Sequence, residues 1–255
     1  YDADSARTVA VTSDRVNSTD PAWDPKGEFL YFLSDRNLRT MVGGPWGSRQ
    51  PEPFFDKPIE IYSVSLRAGL RSPFAPNDEL APKAPPPRPA DTTSVATAAP
   101  PVRAIRIDVG GIEQRVRRVP VPAGNLSGLV ANSDGLFWLA TGSGPDATTD
   151  LVAVKYGNEK IETVVVADGV SAVELSRNGR MLLVRRGDAL HVIDAKPMKV
   201  STIADSRVDL SGWTYPIDVR ADWRQIFVDA WRMERDYFYD ANMHGVDYAA
   251  ALNKY

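Results

Sequence analysis

The stretch NSTDPAWDPKGEFLYFLSDR, residues 17–36, indicates the fold of the N-terminal part of the chain. Residues 24–27 (DPKG) predict a tight turn, because proline suits its second position and glycine accepts a positive φ. Residues 29–33 (FLYFL) are apolar at every position, which is typical of a strand covered on both faces. Such a hairpin cannot bury both faces alone, so the sequence predicts further copies beside it.

Two later stretches repeat the pattern. Residues 129–140 (LVANSDGLFWLA) and 173–185 (VELSRNGRMLLVR) each place a polar turn before an apolar strand. Gly135 and Gly179 are 44 residues apart, close to the length of a four-stranded propeller blade. Gly27 and Gly135 are 108 residues apart, which fits two such periods plus about 20 residues. The repeats predict a mainly β fold: a partial β-propeller of four-stranded blades.

Composition limits the classes of function. The net charge of −3 and the pI of about 5.5 give no strong attraction to nucleic acid or to an anionic membrane. The absence of cysteine excludes disulfides and thiolate chemistry. No run of 18 apolar residues occurs, so no membrane span is predicted. The chain starts at Tyr1 in mid-pattern without a signal sequence, and we expect it to be a piece of a longer protein.

The first blade is interrupted twice. Residues 1–12, with a short β-rich run at residues 8–11, are interpreted as the last strand of another blade or as a lead-in, and a Gly/Pro-rich excursion over residues 41–58 leaves the first blade. The alternating residues 59–66 predict a half-buried strand that returns to the sheet. Residues 75–101 are rich in proline and alanine and lack the apolar residues that offset ordering entropy. They predict a mobile, partly polyproline-like surface insertion.

Further strands are predicted after the insertion. Residues 102–109 have a period of two from Arg103 onward, and a partner strand is expected over residues 114–119. We place blade two at about residues 128–166. Blade three is placed at about residues 172–203, and its third strand is expected at Ala189–Ile193.

The C-terminal region changes to helical periodicity. Asp222 and Gln225 resemble a capping box, and Asp247 is placed to cap a second helix. We therefore assign residues 1–215 to propeller blades and residues 216–255 to the beginning of an α-helical core domain. The apolar residues with spacing typical of an amphipathic helix are Trp223, Ile226, Phe227, Ala230 and Trp231.

The sequence contains no complete active site. Nucleophilic hydrolysis needs a serine or cysteine beside a base, usually histidine, and this chain has two histidines. His191 lies in a predicted strand and is interpreted as structural, and His244 as a turn or helix-capping residue. Two distant histidines argue against a zinc site, and neither a G-x-S-x-G elbow nor a phosphate loop occurs. We assign no catalytic, metal-binding or cofactor-binding residue and expect no cofactor.

Two segments resemble the tricorn-type serine peptidases. The first is VTSDRVNSTDPAWDPKGEFLYFLSDRN (residues 11–37) together with PIEIYSVSLRAGLRSPFAP (residues 58–76), and it is similar to a blade of the family's second propeller. The second is DWRQIFVDAWRMERDYFYDANMHGVDYAAALNKY (residues 222–255), similar to the opening of the family's helical core domain. The segments cover under half of the chain, and the residues between them match only as generic blades.

The resemblance implies a large parent chain with two propellers, a helical subdomain, a PDZ-like domain and a serine peptidase domain. The family's Ser–His pair and its later nucleophilic serine and glutamate would follow Tyr255, so no catalytic residue is carried over. His244 does not match the catalytic histidine motif. The resemblance further implies that the propeller filters oligopeptides on their way to the active site. We expect oligopeptides and the rest of the parent chain as partners, a homo-oligomer, and a cytoplasmic location with the periplasm as the alternative.

Two other interpretations are open. A non-enzymatic propeller that serves as an interaction scaffold would lack a Ser–His motif and a PDZ-like segment downstream. A prolyl-oligopeptidase-like enzyme would carry a G-x-S-x-G elbow in an α/β domain, and the helix at Asp222 argues against it. A closed propeller needs about 4 to 8 blades, and three or four are found here. We therefore expect further blades upstream, and sticky open sheet edges in the chain alone.

Overall fold

A computed structural model describes residues 8–37, 55–78 and 105–254. The chain divides into two compact units, residues 1–208 and 209–255. Within the described residues, eleven antiparallel strands lie in the first unit and two α-helices in the second. The predicted fold class, mainly β with helices only at the C-terminal end, is confirmed.

The first sheet is a four-stranded antiparallel meander. The turn predicted at residues 24–27 is present: the Gly27 amide donates to the Asp24 carbonyl at 2.8 Å, and Gly27 has φ 66°. The strand that follows is buried on both faces, as predicted. The sheet consists of β1 (Ser18–Trp23), β2 (Phe29–Ser34), β3 (Glu60–Ser65) and β4 (Val116–Arg118).

The second and third sheets repeat this meander. Gly135 begins the second strand of one, and Gly179 lies in the turn before the second strand of the other, so the 44-residue repeat is structural. The third sheet has three strands, and a single bridge between His191 and Arg207 occupies the edge where a fourth was predicted. Their strands are β5 (Asn125–Ala131), β6 (Gly135–Thr141), β7 (Thr149–Lys155), β8 (Thr163–Ala167), β9 (Ala172–Leu175), β10 (Met181–Arg186) and β11 (Ala189–Asp194).

The three sheets pack face to face in chain order. Because side chains alternate along a strand, Leu136 and Trp138 of β6 face the first sheet and pack with Tyr31. Phe137 on the same strand faces the third sheet and packs with Leu182. The second sheet is therefore covered on both sides, which explains why β6 is apolar without alternation.

The sheets approach each other most closely at their first strands. Strand β1 contacts β5, and β5 contacts β9. The Gly128 amide donates to Asp20 Oδ2 at 2.6 Å, and this bond joins the bulge of β1 to the bulge of β5. Such convergence of first strands is the order of successive propeller blades, in which one strand of each blade lies innermost.

Three local predictions in the first unit were wrong. Residues 8–11 form no strand. Residues 105–109, the described part of the predicted strand 102–109, also form none, because the Asp108 amide bonds only the Leu66 carbonyl, beyond the end of β3. Strand β3 is almost fully buried rather than half-buried, since apolar clusters cover both of its faces.

Most of two predicted loops lies outside the described residues. The Gly/Pro-rich excursion is described only over residues 55–58, and the Pro/Ala-rich insertion only over residues 75–78. Arg71 forms an ion pair of 3.0 Å with Asp78 at the start of that insertion.

The second unit contains α1 (Val219–Tyr237) and α2 (Tyr248–Lys254). The predicted capping box at Asp222 was wrong: Asp218 Oδ1 accepts hydrogen bonds from the amides of Arg220 and Ala221, so α1 starts four residues earlier. Asp247 caps α2 as predicted, accepting from the Ala250 amide at 2.9 Å. Among the described residues, no helix is long and apolar enough to cross a membrane.

Candidate functional site

His191 is held by local structure. It is buried on β11, and its Nδ1 lies 2.9 Å from the Ile203 carbonyl oxygen. Ser206 Oγ lies 3.4 Å from the same nitrogen but donates its proton to the Ile203 carbonyl at 2.6 Å. A nitrogen that donates to a carbonyl cannot also accept a proton from serine, so this Ser–His contact has no nucleophile–base geometry. The arrangement fits the structural role assigned to His191.

His244 lies in the turn after α1. Its φ of 52° places it in the left-handed region, which histidine enters more often than most residues. The Tyr239 hydroxyl hydrogen-bonds Nε2, and Nδ1 lies 3.5 Å from Asp240 Oδ2. All these partners come from the same short turn. No group of three or more His, Cys, Asp or Glu suited to a metal ion occurs among the described residues.

A cleft of about 510 Å³ opens along the outer half of the first sheet. Strand β3 contributes Ser63 and Ser65, and Phe29 at the start of β2 lies on the same face because it pairs with Ser65. The segment after β3 supplies the opposite wall through Leu70 and Phe74. The third side is basic and consists of Arg115, Arg117 and Arg118.

The three arginines of the cleft have different partners. Arg115 is committed to main-chain carbonyls, since its Nε donates to Ser65 at 2.9 Å and its Nη1 to Gly110 at 2.7 Å. Arg118 forms an ion pair of 2.9 Å with Glu60. Arg117 donates through Nη1 alone, to two carbonyls of its own segment, and forms no ion pair with a described residue.

Glu60 is also engaged on its other oxygen. The Tyr62 hydroxyl donates to Glu60 Oε2 at 2.6 Å, and burial together with this carboxylate raises the pKa of Tyr62 to about 12. Arg36 stacks over the Tyr62 ring with its guanidinium carbon 4.8 Å from the ring centroid. Glu60 is therefore held by Tyr62 and Arg118, and no described acidic residue forms an ion pair with Arg117.

Buried tyrosines between the first two sheets predict a loss of stability in alkali. Burial raises the pKa of Tyr31 and of Tyr156 above the usual 10.0, and the Asp24 carboxylate adds to both shifts. Because the folded pKa is the higher one, this stabilisation is complete below pH 10 and lost as the pH rises further. We expect the free energy of unfolding, measured in urea at a series of pH values, to fall above pH 10.0.

Tyr31→Phe tests the source of this loss, since it removes one buried phenol and keeps the ring. The fall in unfolding free energy above pH 10.0 should become shallower. Tyr237→Phe is the control, because Tyr237 is 85% exposed. If the unfolding free energy of Tyr31→Phe and of the unchanged chain depended on pH in the same way, the buried Tyr31 phenol would not be a source of the loss.

Comparison with known proteins gives consistent results along the whole chain. Residues 219–255 match the Tricorn protease C1 domain. Tricorn protease homolog 1 of Streptomyces coelicolor is 27% identical over 257 residues, which cover 94% of this chain. A second tricorn homolog of that organism is 28% identical over 97% of this chain. The crystal structure of the tricorn protease matches 100% of this chain with a TM-score of 0.74 and 17% identity, which shows the shared fold.

The chain is therefore similar to tricorn proteases in sequence and in fold. It spans only 23% and 21% of the length of the two Streptomyces relatives, and 23% of the tricorn protease chain. The match to the C1 domain begins at Val219, which is the first residue of α1.

Sequence reasoning missed the basic cleft. The local signal was the run of residues 113–118 (EQRVRR), in which Arg115 precedes the short strand β4 and Arg117 and Arg118 lie in it. Their roles depend on distant residues: Arg115 bonds Ser65, 50 positions away, and Arg118 pairs with Glu60, 58 positions away. The sequence alone does not reveal which of the three keeps a free charge.

Proposed function

We propose that this chain is a non-catalytic part of a tricorn-like serine peptidase that degrades oligopeptides. In this proposal its sheets belong to a propeller whose channel filters peptides on their way to an active site elsewhere in the parent protein. The observation that carries the proposal is the match to tricorn homologs over 94% of the chain, which joins the sheets and the helices in one order. The rest of the parent chain, and further copies of it, would be the partners.

The first strands support the filter role. Strands β1, β5 and β9 each pair on one side only, so their other edges keep main-chain donors and acceptors available to an extended peptide. The exposed side chains on these strands are mostly small and include polar, apolar and acidic residues. The largest of them is Trp23, which is 50% exposed. Such a wall would contact many peptides weakly, as passage through a channel requires. The exposed residues are Ser18, Thr19, Pro21 and Trp23 on β1, Ser127 on β5, and Ala172 and Glu174 on β9.

Hydrolysis of a fluorogenic peptide tests the proposal. The purified 255-residue chain should give no turnover above buffer, because neither histidine has a catalytic arrangement. The full-length parent protein should hydrolyse the same peptide and should be inactivated by a fluorophosphonate, which phosphonylates a nucleophilic serine with loss of fluoride.

Two results would count against it. Hydrolysis of the peptide by a homogeneous preparation of the 255-residue chain would show that a catalytic centre lies within these residues. A full-length parent without peptidase activity would favour the non-enzymatic scaffold.

A further inference from the structure

We propose that the cleft on the first sheet binds the C-terminal residue of a short peptide, with Arg117 as the anchor for the terminal carboxylate. The choice of a peptide rests on the proposed function, whereas the carboxylate and its apolar neighbour follow from the cleft itself. The cleft lies on the outer half of the first sheet and is therefore separate from the first strands that would form the channel wall.

The charge of the cleft selects an anion. Its described lining contains three arginines and no acidic residue, although the whole chain has a net charge of −3. Arg115 is held by carbonyls and lies near Asp108, and Arg118 is neutralised by Glu60. No described residue accepts a hydrogen bond from Nε or Nη2 of Arg117, and these two donors match the two oxygens of a carboxylate.

The apolar walls of the cleft favour a carboxylate that is attached to an apolar group. Phe29 and Phe74 are buried side chains at the base of the cleft, and Leu70 lies beside them. A volume of about 510 Å³ is in the range of small-ligand sites. A peptide C-terminus with an apolar last side chain offers both an anion and an apolar group, whereas inorganic phosphate offers only the first.

The wall opposite β3 is fixed before any ligand binds. Ser72 Oγ accepts a hydrogen bond from the Phe74 amide at 3.2 Å, and the Ala75 amide donates to the Ser72 carbonyl at 3.0 Å. The Arg71–Asp78 ion pair joins the two ends of this segment. Binding therefore needs little ordering of the protein, which lowers its entropic cost.

Fluorescence anisotropy on the full 255-residue chain tests the site. The probe is an N-terminally dye-labelled Ala-Ala-Phe peptide with a free carboxylate, compared with the same peptide as its amide. We expect the acid to bind at least about tenfold more tightly than the amide, because a charge-assisted pair with Arg117 is lost in the amide.

Two variants assign the binding to one side chain. Arg117→Gln should weaken binding of the acid about tenfold and leave the amide unchanged, and Arg117→Lys should restore part of the difference. Arg177→Gln is the matched control, because Arg177 is exposed in the turn before β10 and forms no ion pair with a described residue. Far-UV circular dichroism and urea unfolding verify that each variant is folded.

Equal binding of acid and amide, or unchanged binding in Arg117→Gln, would overturn the site. Displacement of the acid by inorganic phosphate with no preference for acid over amide would also overturn it, since the site would then recognise charge alone. Peptidase activity of the full-length parent is measured separately. If the chain shows no preference for the acid peptide while the full-length parent hydrolyses peptides, the proposed peptide site in the cleft is rejected and the proposed function is unaffected.

Discussion

Gly135→Ala is expected to destabilise the first unit by about 3 kcal/mol. A Cβ added at Gly135 would lie 2.1 Å from the Val154 carbonyl oxygen and 3.0 Å from its carbon. Both are main-chain atoms of β7, the strand paired with β6, so neither can rotate away as a side chain would. The hairpin must shift as a whole, and the second sheet is the one that packs against both neighbours.

Urea unfolding of the 255-residue chain, followed by tryptophan fluorescence, measures this effect. Gly157→Ala is the matched control, because nothing lies within 4 Å of a Cβ built there and its φ is not positive. The control should change the unfolding free energy by no more than about 0.5 kcal/mol. Similar losses for both variants would mean that glycine flexibility, and not the contact with Val154, matters at position 135.

Residues that act locally were predictable from the sequence. The turn at residues 24–27 and the cap at Asp247 depend on neighbours within a few positions, and both were found. The burial of β2 on both faces was also found, because its unbroken apolar run is itself a local signal. The helix α1 was also predicted, but its start was not. The carboxylate that caps the helix belongs to Asp218 and not to Asp222.

Residues whose partners are distant were not predictable. A period of two over residues 105–109 is typical of a strand, yet the Asp108 amide bonds the Leu66 carbonyl just beyond the end of β3, and Ile105 and Val109 stay exposed. A period of two shows only that polar and apolar side chains alternate. A segment becomes a strand only if its main chain can also pair with the edge strand of a sheet. The same limit hid the cleft, because the free charge of Arg117 follows from the partners of its two neighbours.

One turn position has an equivalent in all three sheets. Asp24, Asn132 and Ser176 each accept a hydrogen bond from a main-chain amide of their own turn through a side-chain oxygen. Turn chemistry predicts such acceptors, because short polar side chains bond the main chain two or more residues on. Only Asn132 also carries an amide group that donates to the next sheet.

Asn132→Ala is expected to cost about 3 kcal/mol of unfolding free energy. Asn132 is 1% exposed, and its Nδ2 donates to the Ala195 carbonyl at 2.7 Å and to the Gly179 carbonyl at 3.0 Å. Its Oδ1 accepts from the Gly135 amide at 3.1 Å. Truncation leaves buried main-chain groups without partners, and each such group costs about 1–3 kcal/mol.

Asn132→Asp separates the two functions of this side chain. The carboxylate keeps the oxygen that accepts from Gly135 but places a second oxygen against the carbonyls of Ala195 and Gly179. We expect a loss at least as large as for alanine in urea unfolding at pH 7. Asn178→Ala is the control, because Asn178 is exposed and its Oδ1 bonds only within the turn. It should cost less than about 1 kcal/mol. If Asn132→Asp were as stable as the parent sequence, the donors of Asn132 would not join the second and third sheets, and the packing of successive sheets would rest on apolar contact alone.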